Sequence, residues 1–320
     1  MKITILLFGM GALAAFAQTG VLLTGAGYSV PPPPQVAPGQ VTTFFFRGIG
    51  PAADGHLRSA QATTVPLPMN LGGLSLRMAQ PQASAFAVPI FAVRQENACA
   101  GASDISAACL LTSVKVQIPF EIIADGTSPA PSAELTLDVD GKASAALPLQ
   151  PVPDNAHIVT ACDLSWDTNS TSVCDRHAYH ANGQAISAND PAKPSEVVVV
   201  YAYGLGQVSG GLTTGDLSPA GSTLADLPNR VKASFGTVVN ALSSGPRFLS
   251  SNDSATPSAS IQFAGLTPGQ IGLYQLNIPI PESLDLAGPC GGLGGFIRTN
   301  ATLRVTTSQG SEGLAICVQP

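Results

Sequence analysis

Asp175, His177 and His180 stand close together. Imidazole and carboxylate are the side chains that hold zinc and move protons near neutral pH. A His-x-x-His pair just after an aspartate offers three metal ligands, and a metal held there would activate water for hydrolysis. The spacing is a weak signal, and the competing reading is a solvated loop. His56 and His157 stand apart from this group. No Gly-x-Ser-x-Gly elbow frames a serine, so a serine nucleophile has no setting. The run from Gly291 to Gly295 lacks the Lys-Ser of a phosphate loop and reads as a loop beside Cys290. Asp138-Val139-Asp140-Gly141 resembles the opening of a calcium loop. The later acidic ligand is missing, and Asp-Gly is a strong hairpin turn, so a hairpin is expected there.

The six cysteines fall as Cys99 and Cys109, Cys162 and Cys174, Cys290 and Cys317. Sequence alone leaves their pairing open. Local pairing is the simplest arrangement, with each bond closing a loop between strands and removing roughly 3 kcal/mol of unfolded-state entropy. A metal site is the rival, but there is no Cys-x-x-Cys. The segment from Cys162 to Pro191 carries Trp166, Asp175, His177, Tyr179 and His180, a dense group of recognition-type side chains in a chain poor in charge and aromatics. We expect this segment to be the contact surface for a partner. The alternative is that it covers a sheet edge that would otherwise pair with other chains.

These groups need elements to hold them, and composition says which kind. The chain has 320 residues, 45% hydrophobic and 11% charged, against about 25% charged in an ordinary soluble domain. Such a chain can bury sizeable cores and is not disordered. Its 33 glycines and 27 prolines punctuate short apolar runs, the pattern of many strands and many turns. A net charge of −6 without a basic cluster argues against nucleic acid. At the N-terminus, Lys2, an apolar run to Phe16 and the small-x-small string Ala15-Phe16-Ala17 form an export signal, with cleavage expected before Gln18. The run is shorter than the ~20 residues of a membrane span, and no later run reaches that length, so no transmembrane segment is expected after cleavage.

The resulting expectation is a signal peptide over 1–17, a proline-rich spacer over 18–34, one domain over 35–150, a linker and cysteine-bracketed segment over 151–195, and a second domain over 196–320. Strands are expected over 41–47, 74–78, 85–93, 110–119, 133–139 and 143–149. In the second domain they are expected over 196–203, 230–235, 238–242, 259–263, 272–279, 296–306 and 313–318. No stretch shows sustained helical periodicity. The halves repeat. A proline turn, an apolar strand and Gly-apolar-Gly occur at Val36 to Gly50 and at Pro194 to Gly206. Lys115-Val116-Gln117-Ile118-Pro119 matches Gln275-Leu276-Asn277-Ile278-Pro279, and Leu149-Gln150-Pro151 matches Val318-Gln319-Pro320. Matches in one order, about 160 residues apart, imply duplication of one fold. With about seven short strands in each copy, the expected class is all-β, two tandem immunoglobulin-like β-sandwiches.

Val36-Ala37-Pro38-Gly39-Gln40-Val41 followed by a strand and Gly48-Ile49-Gly50-Pro51 resembles the IPT/TIG branch of immunoglobulin-like domains. The strings from Ala181 to Gly206 and from Gly265 to Pro281 resemble the Solibacter-type C-terminal domain of exported acidobacterial proteins. The likeness covers most of the chain from about Val36. The three cysteine pairs and the segment 151–162 depart from the family pattern. The resemblance implies an extracellular accessory module with no established activity and no cofactor. Because no large domain precedes it, the chain is expected to act by itself. The expected function is a secreted, non-enzymatic binding or structural module at the cell surface or in the extracellular matrix, whose partner is an extracellular protein or glycan. The alternatives are a carbohydrate-binding module, which needs a row of exposed aromatics, and a metal-dependent hydrolase using Asp175, His177 and His180.

Overall fold

Apolar and polar residues alternate along most segments of this chain, and most of those segments are strands. The computed structural model describes residues 20–27, 33–81, 83–99, 105–124, 132–164, 174–210, 212–224, 230–244 and 258–320. The proposed signal peptide, 1–17, and Trp166 lie outside the described residues.

The first half runs β1 (Leu22–Ala26), β2 (Gln35–Val36), β3 (Val41–Arg47), β4 (Ser59–Gln61), β5 (Asn70–Leu71), β6 (Leu74–Ala79), β7 (Phe86–Val88), β8 (Ile90–Asn97), β9 (Leu110–Gln117), β10 (Ala133–Val139), β11 (Lys142–Ala143) and β12 (Leu147–Pro151). The second runs β13 (His157–Ile158), β14 (Ala178–Tyr179), β15 (Val197–Tyr203), β16 (Lys232–Gly236), β17 (Ser258–Ala259), β18 (Phe263–Leu266), β19 (Tyr274–Pro279), β20 (Ala301–Thr307) and β21 (Gly310–Ile316). Among the described residues two short helical turns stand complete, Ala161–Leu164 and Gly292–Gly295.

Four sheets result. The first has the order β1-β3-β9-β8-β4 and the second β2-β12-β10-β6-β5, with β11 on β10 and β7 on β6. The third has the order β13-β15-β19-β18, with β14 on β15, and the fourth β17-β16-β20-β21. Period-two alternation sends one face of each central strand inward. Phe44, Phe46, Val114 and Val116 of the first sheet share a core with Leu76, Met78, Leu135 and Leu137 of the second. Val198, Val200, Leu276 and Ile278 of the third share another with Phe235, Leu303, Val305 and Leu314 of the fourth. Each such side chain is worth about 1.5–3 kcal/mol on burial.

The strands that match in sequence hold matching places. β3 pairs with β9, and β15 with β19, antiparallel at the centre of their sheets. β10 lies between β12 and β6, and β20 lies between β21 and β16. Val36 pairs in parallel with Pro151, and Ala192 bridges Val318 in parallel. After each central strand an apolar plug, Ile49 or Leu205, is fully buried beside a left-handed glycine, Gly48 (φ 84°) or Gly204 (φ 73°).

Several segments differ from the sequence expectation. The run 85–93 is two strands in different sheets, because Pro89 has no N–H for a ladder and the chain crosses between sheets there. The run 259–263 divides in the same way between β17 and β18. Residues 238–242 form a turn. Asn240 adopts φ 54°, which ends extended structure, and Val238 and Leu242 are exposed. The strand expected over 296–306 begins at Ala301, since Phe296 closes a helical turn. Leu22–Ala26, within the stretch read as a spacer, is an edge strand paired with β3. Residues 151–160, within the stretch read as a linker, are buried except Pro153. Asp140-Gly141 does form the hairpin turn between β10 and β11, with both residues at positive φ.

Candidate functional site

The side chains of β3 that point away from the core include Thr43 and Phe45, and Lys115 of β9 lies directly across from Thr43. On β15, alternation turns Tyr201 and Tyr203 away from their own core. These two outward faces meet. Val41, Val159 and Tyr203 form a small apolar cluster with Phe91, Tyr201 and Leu273. Around it, Asn155 donates to the main-chain oxygen of Gln35 (3.0 Å) and Gln117 accepts from the N–H of Gly215 (2.7 Å). Gly204 permits close approach of the connecting segment. A Cβ there would stand 2.3 Å from the Asn155 carbonyl oxygen.

A cavity of about 220 Å³ opens at this junction, lined by Thr42, Thr43, Lys115, His157, Asp163 and Tyr203 among others. Thr160 and Asp163 are placed by reciprocal capping of the turn Ala161–Leu164. Asp163 Oδ2 accepts from the Thr160 N–H (2.8 Å) and hydroxyl (2.7 Å), and the Asp163 N–H donates to Thr160 Oγ1 (3.3 Å). The same Oδ2 meets His157 Nε2 at 2.8 Å. On the other side of the ring, His157 Nδ1 lies 3.4 Å from Glu312 Oε1. Glu312 also accepts from the Ile158 N–H (2.6 Å) and pairs with Arg176 Nε (3.3 Å).

Burial alone would lower the His157 pKa, but hydrogen bonds and charge from Asp163 and Glu312 outweigh it and hold the value above the ordinary one. Burial would raise Glu312, yet His157, Arg176 and the Ile158 N–H bring it below the usual carboxylate value. Lys115 moves the other way, lowered by burial against a smaller opposing pull from Asp163. Tyr203 is pushed up to about 12, first by burial and then by Asp163. With both ring nitrogens committed to carboxylates, His157 holds charge in place rather than passing a proton to a ligand.

The residues singled out from sequence are dispersed. Asp175 lines a shallow groove with Asn240, Leu242, Ser243, Phe296 and Arg298. His177 and Tyr179 lie on one face, their rings 6.5 Å apart, and Tyr179 continues to Tyr201 at 5.7 Å. His180 is held elsewhere, with Nδ1 2.5 Å from Glu196 Oε1 and Nε2 3.4 Å from Asp190 Oδ2. Burial opposes the charged ring, but Glu196 and Asp190 raise its pKa. Among the described residues no three His, Cys, Asp or Glu side chains form a group that could hold a metal ion. Cys99 is bonded to Cys109, Cys162 to Cys174 and Cys290 to Cys317, the sequence-local arrangement.

The junction residues Lys115, His157, Asp163, Arg176 and Glu312 were not singled out from sequence. One signal was present. Lys115 is the one charged residue between Leu110 and Phe120, and His157 sits in Ala156-His157-Ile158-Val159, both in a chain with few charges.

No family model matches the chain, and no curated protein matches it. Among solved structures, it is similar to the C-terminal domain of the Streptococcus agalactiae AgI/II polypeptide BspA at 9% identity, covering 92% of this chain and 95% of that one, with a TM-score of 0.20. It is also similar to domains 1–6 of the surface layer protein SbsC at 10% identity, covering 94% of this chain and 41% of that one, again with a TM-score of 0.20. Likenesses this faint carry no argument about the chain. What stands on the structure itself is a nearly all-β, antiparallel architecture with three disulfides. No described helix is long and apolar enough to cross a membrane.

Proposed function

We propose that the chain is an exported, non-catalytic module of two tandem immunoglobulin-like sandwiches, arisen by duplication, that serves a binding or structural role outside the cytoplasm. The observation that carries this reading is the use made of the polar side chains. His157, Asp163, Glu312 and Arg176 are engaged with one another at the junction, and Glu196 and Asp190 hold His180. Export is supported by Lys2, the apolar run to Phe16 and Ala15-Phe16-Ala17, and three disulfides fit an oxidising compartment. The family resemblance of the strings around Val36, Ala181 and Gly265 agrees with an accessory module.

One observation favours a glycan as the partner. His177, Tyr179 and Tyr201 form a continuous row of half-buried rings, and ring faces stack on sugars. A glycan array with the mature chain tests this. Binding that is lost in His177→Ala and Tyr179→Ala, with thermal stability retained, supports the glycan reading. Binding that is unchanged in both variants removes this row from recognition. N-terminal sequencing of exported material should begin at Gln18, and recovery of Met1 on the mature protein would contradict export by cleavage.

A further inference from the structure

The cavity between the halves holds a cation that the junction does not neutralise. Asp163 gives its Oδ2 to Thr160 and His157, and Glu312 is shared among Ile158, His157 and Arg176. Lys115 Nζ donates to the main-chain oxygen of Asp163 at 2.9 Å and lies 5.9 and 5.8 Å from the ring centres of Phe91 and Tyr203. Among the described residues no carboxylate oxygen comes within ion-pair distance of Lys115. The other described lysines, Lys142, Lys193 and Lys232, are exposed to solvent. An ammonium carries three N–H donors, and among the described residues Nζ makes one hydrogen bond, to the Asp163 carbonyl, so two donors remain for a ligand.

The rest of the cavity wall suits an anion with a short apolar tail. Thr43 and Tyr203 line it and carry hydroxyls, while Val41 and Phe45 supply apolar wall. Asp163 lines it too, and His157 sits on its carboxylate. A space of about 220 Å³ is below the range for drug-sized ligands and admits only a molecule of a few heavy atoms. We propose that this cavity binds a small oxyanion, with Lys115 as its counter-charge and the hydroxyls of Thr43 and Tyr203 as further donors. Two sources share that chemistry, a short-chain organic carboxylate and inorganic phosphate. Neither His177 nor Tyr179 lines this cavity, so the readings tested by their substitution and by that of Lys115 can fail separately.

The test is a titration of the full mature chain, labelled with nitrogen-15, with sodium acetate, sodium propionate or sodium phosphate at constant ionic strength set by chloride. Saturable shifts at the amides of Thr43, Lys115 and Tyr203, with a Kd of about 1 mM or tighter, are expected. Lys115→Met should weaken that binding at least about tenfold, while Lys115→Arg, which keeps the charge, should retain more of it. Saturation by acetate and propionate alone identifies an organic acid site. Saturation by phosphate alone identifies an inorganic one, and either result supports the proposal. Shifts that never saturate with any of the three anions overturn it, as does equal affinity in Lys115→Met. If Lys115→Met does not fold, the side-chain nitrogen resonance of Lys115 in the unaltered chain decides. It must move on anion addition, and a stationary resonance overturns the proposal.

Discussion

Replacing Glu312 with glutamine keeps the shape of the side chain but removes its charge from a site only 3% exposed. His157 and Arg176, themselves buried, then face each other's positive charge with one carboxylate fewer. Breaking a buried ion pair from one side costs about 3–5 kcal/mol, because an uncompensated charge remains in low dielectric. The Ile158 N–H keeps an acceptor only if the amide oxygen takes the place of Oε2, so the upper part of that range applies if the amide turns the other way. At roughly 2–4 °C per kcal/mol for a domain of 150–250 residues, the midpoint should fall on the order of 10 °C. Thermal unfolding followed by circular dichroism, without reductant and near pH 6, measures it. Adding His157→Gln should then cost less than it does alone, because the ring no longer has its carboxylate partner. A loss under about 1 kcal/mol for Glu312→Gln, the size of a surface pair, would refute the reasoning.

The same network sets the pH profile. His157 has a folded pKa above its ordinary 6.5, so its contribution is complete below 6.5 and is lost as pH rises through the folded value. Glu312 has a folded pKa below its ordinary 4.5, so its contribution is present above 4.5 and is lost as pH falls through the folded value. Thermal midpoints across pH should therefore peak between 4.5 and 6.5, and His157→Gln should flatten the alkaline limb; an unchanged alkaline limb would count against the assignment. In the first half, Arg58 is buried, donates to the carbonyls of Gly50, Pro51 and Gly72 and pairs with Asp140. Arg58→Ala should cost about 2–3 kcal/mol in denaturant titration, since it removes a buried guanidinium that makes three hydrogen bonds to carbonyls and the pair with Asp140. Asp140→Asn should cost under about 1 kcal/mol, because that carboxylate is 47% exposed and screened. Gly204→Ala should lower stability by more than about 1 kcal/mol, through its positive φ and the approach to Asn155, whereas Gly141→Ala carries only the φ penalty.

What the sequence revealed was what local chemistry decides. β3 and β10 begin and end where alternation and turn residues place them, and the Asp140-Gly141 hairpin follows from two residues that tolerate positive φ. Pairing across long separations was not legible. Nothing near Leu22–Ala26 announces that it lies along β3, and nothing in 85–93 except Pro89 announces a change of sheet. The candidate site was the hardest part to read. Asp175, His177 and His180 are neighbours in sequence but do not meet: an odd spacing puts His177 and His180 on opposite faces of extended chain, and Asp175 lines the groove of Asn240 and Arg298. His157 and Glu312 are separated by 155 positions and meet because β13 of the third sheet and β21 of the fourth bring them together. Proximity in sequence was thus a poor guide to proximity in an all-β chain, where most contacts are long-range.

The two pairs of sheets meet at the junction of Val41, Phe91, Lys115, Asn155 and Tyr203, which on our proposal couples them into one body. Differential scanning calorimetry of the mature, disulfide-intact chain near pH 6 tests this directly. A junction that couples the halves predicts one transition with calorimetric and van't Hoff enthalpies in agreement. Two resolved transitions, one shifted by Arg58→Ala and the other by Glu312→Gln, would show that the halves unfold independently and would contradict it.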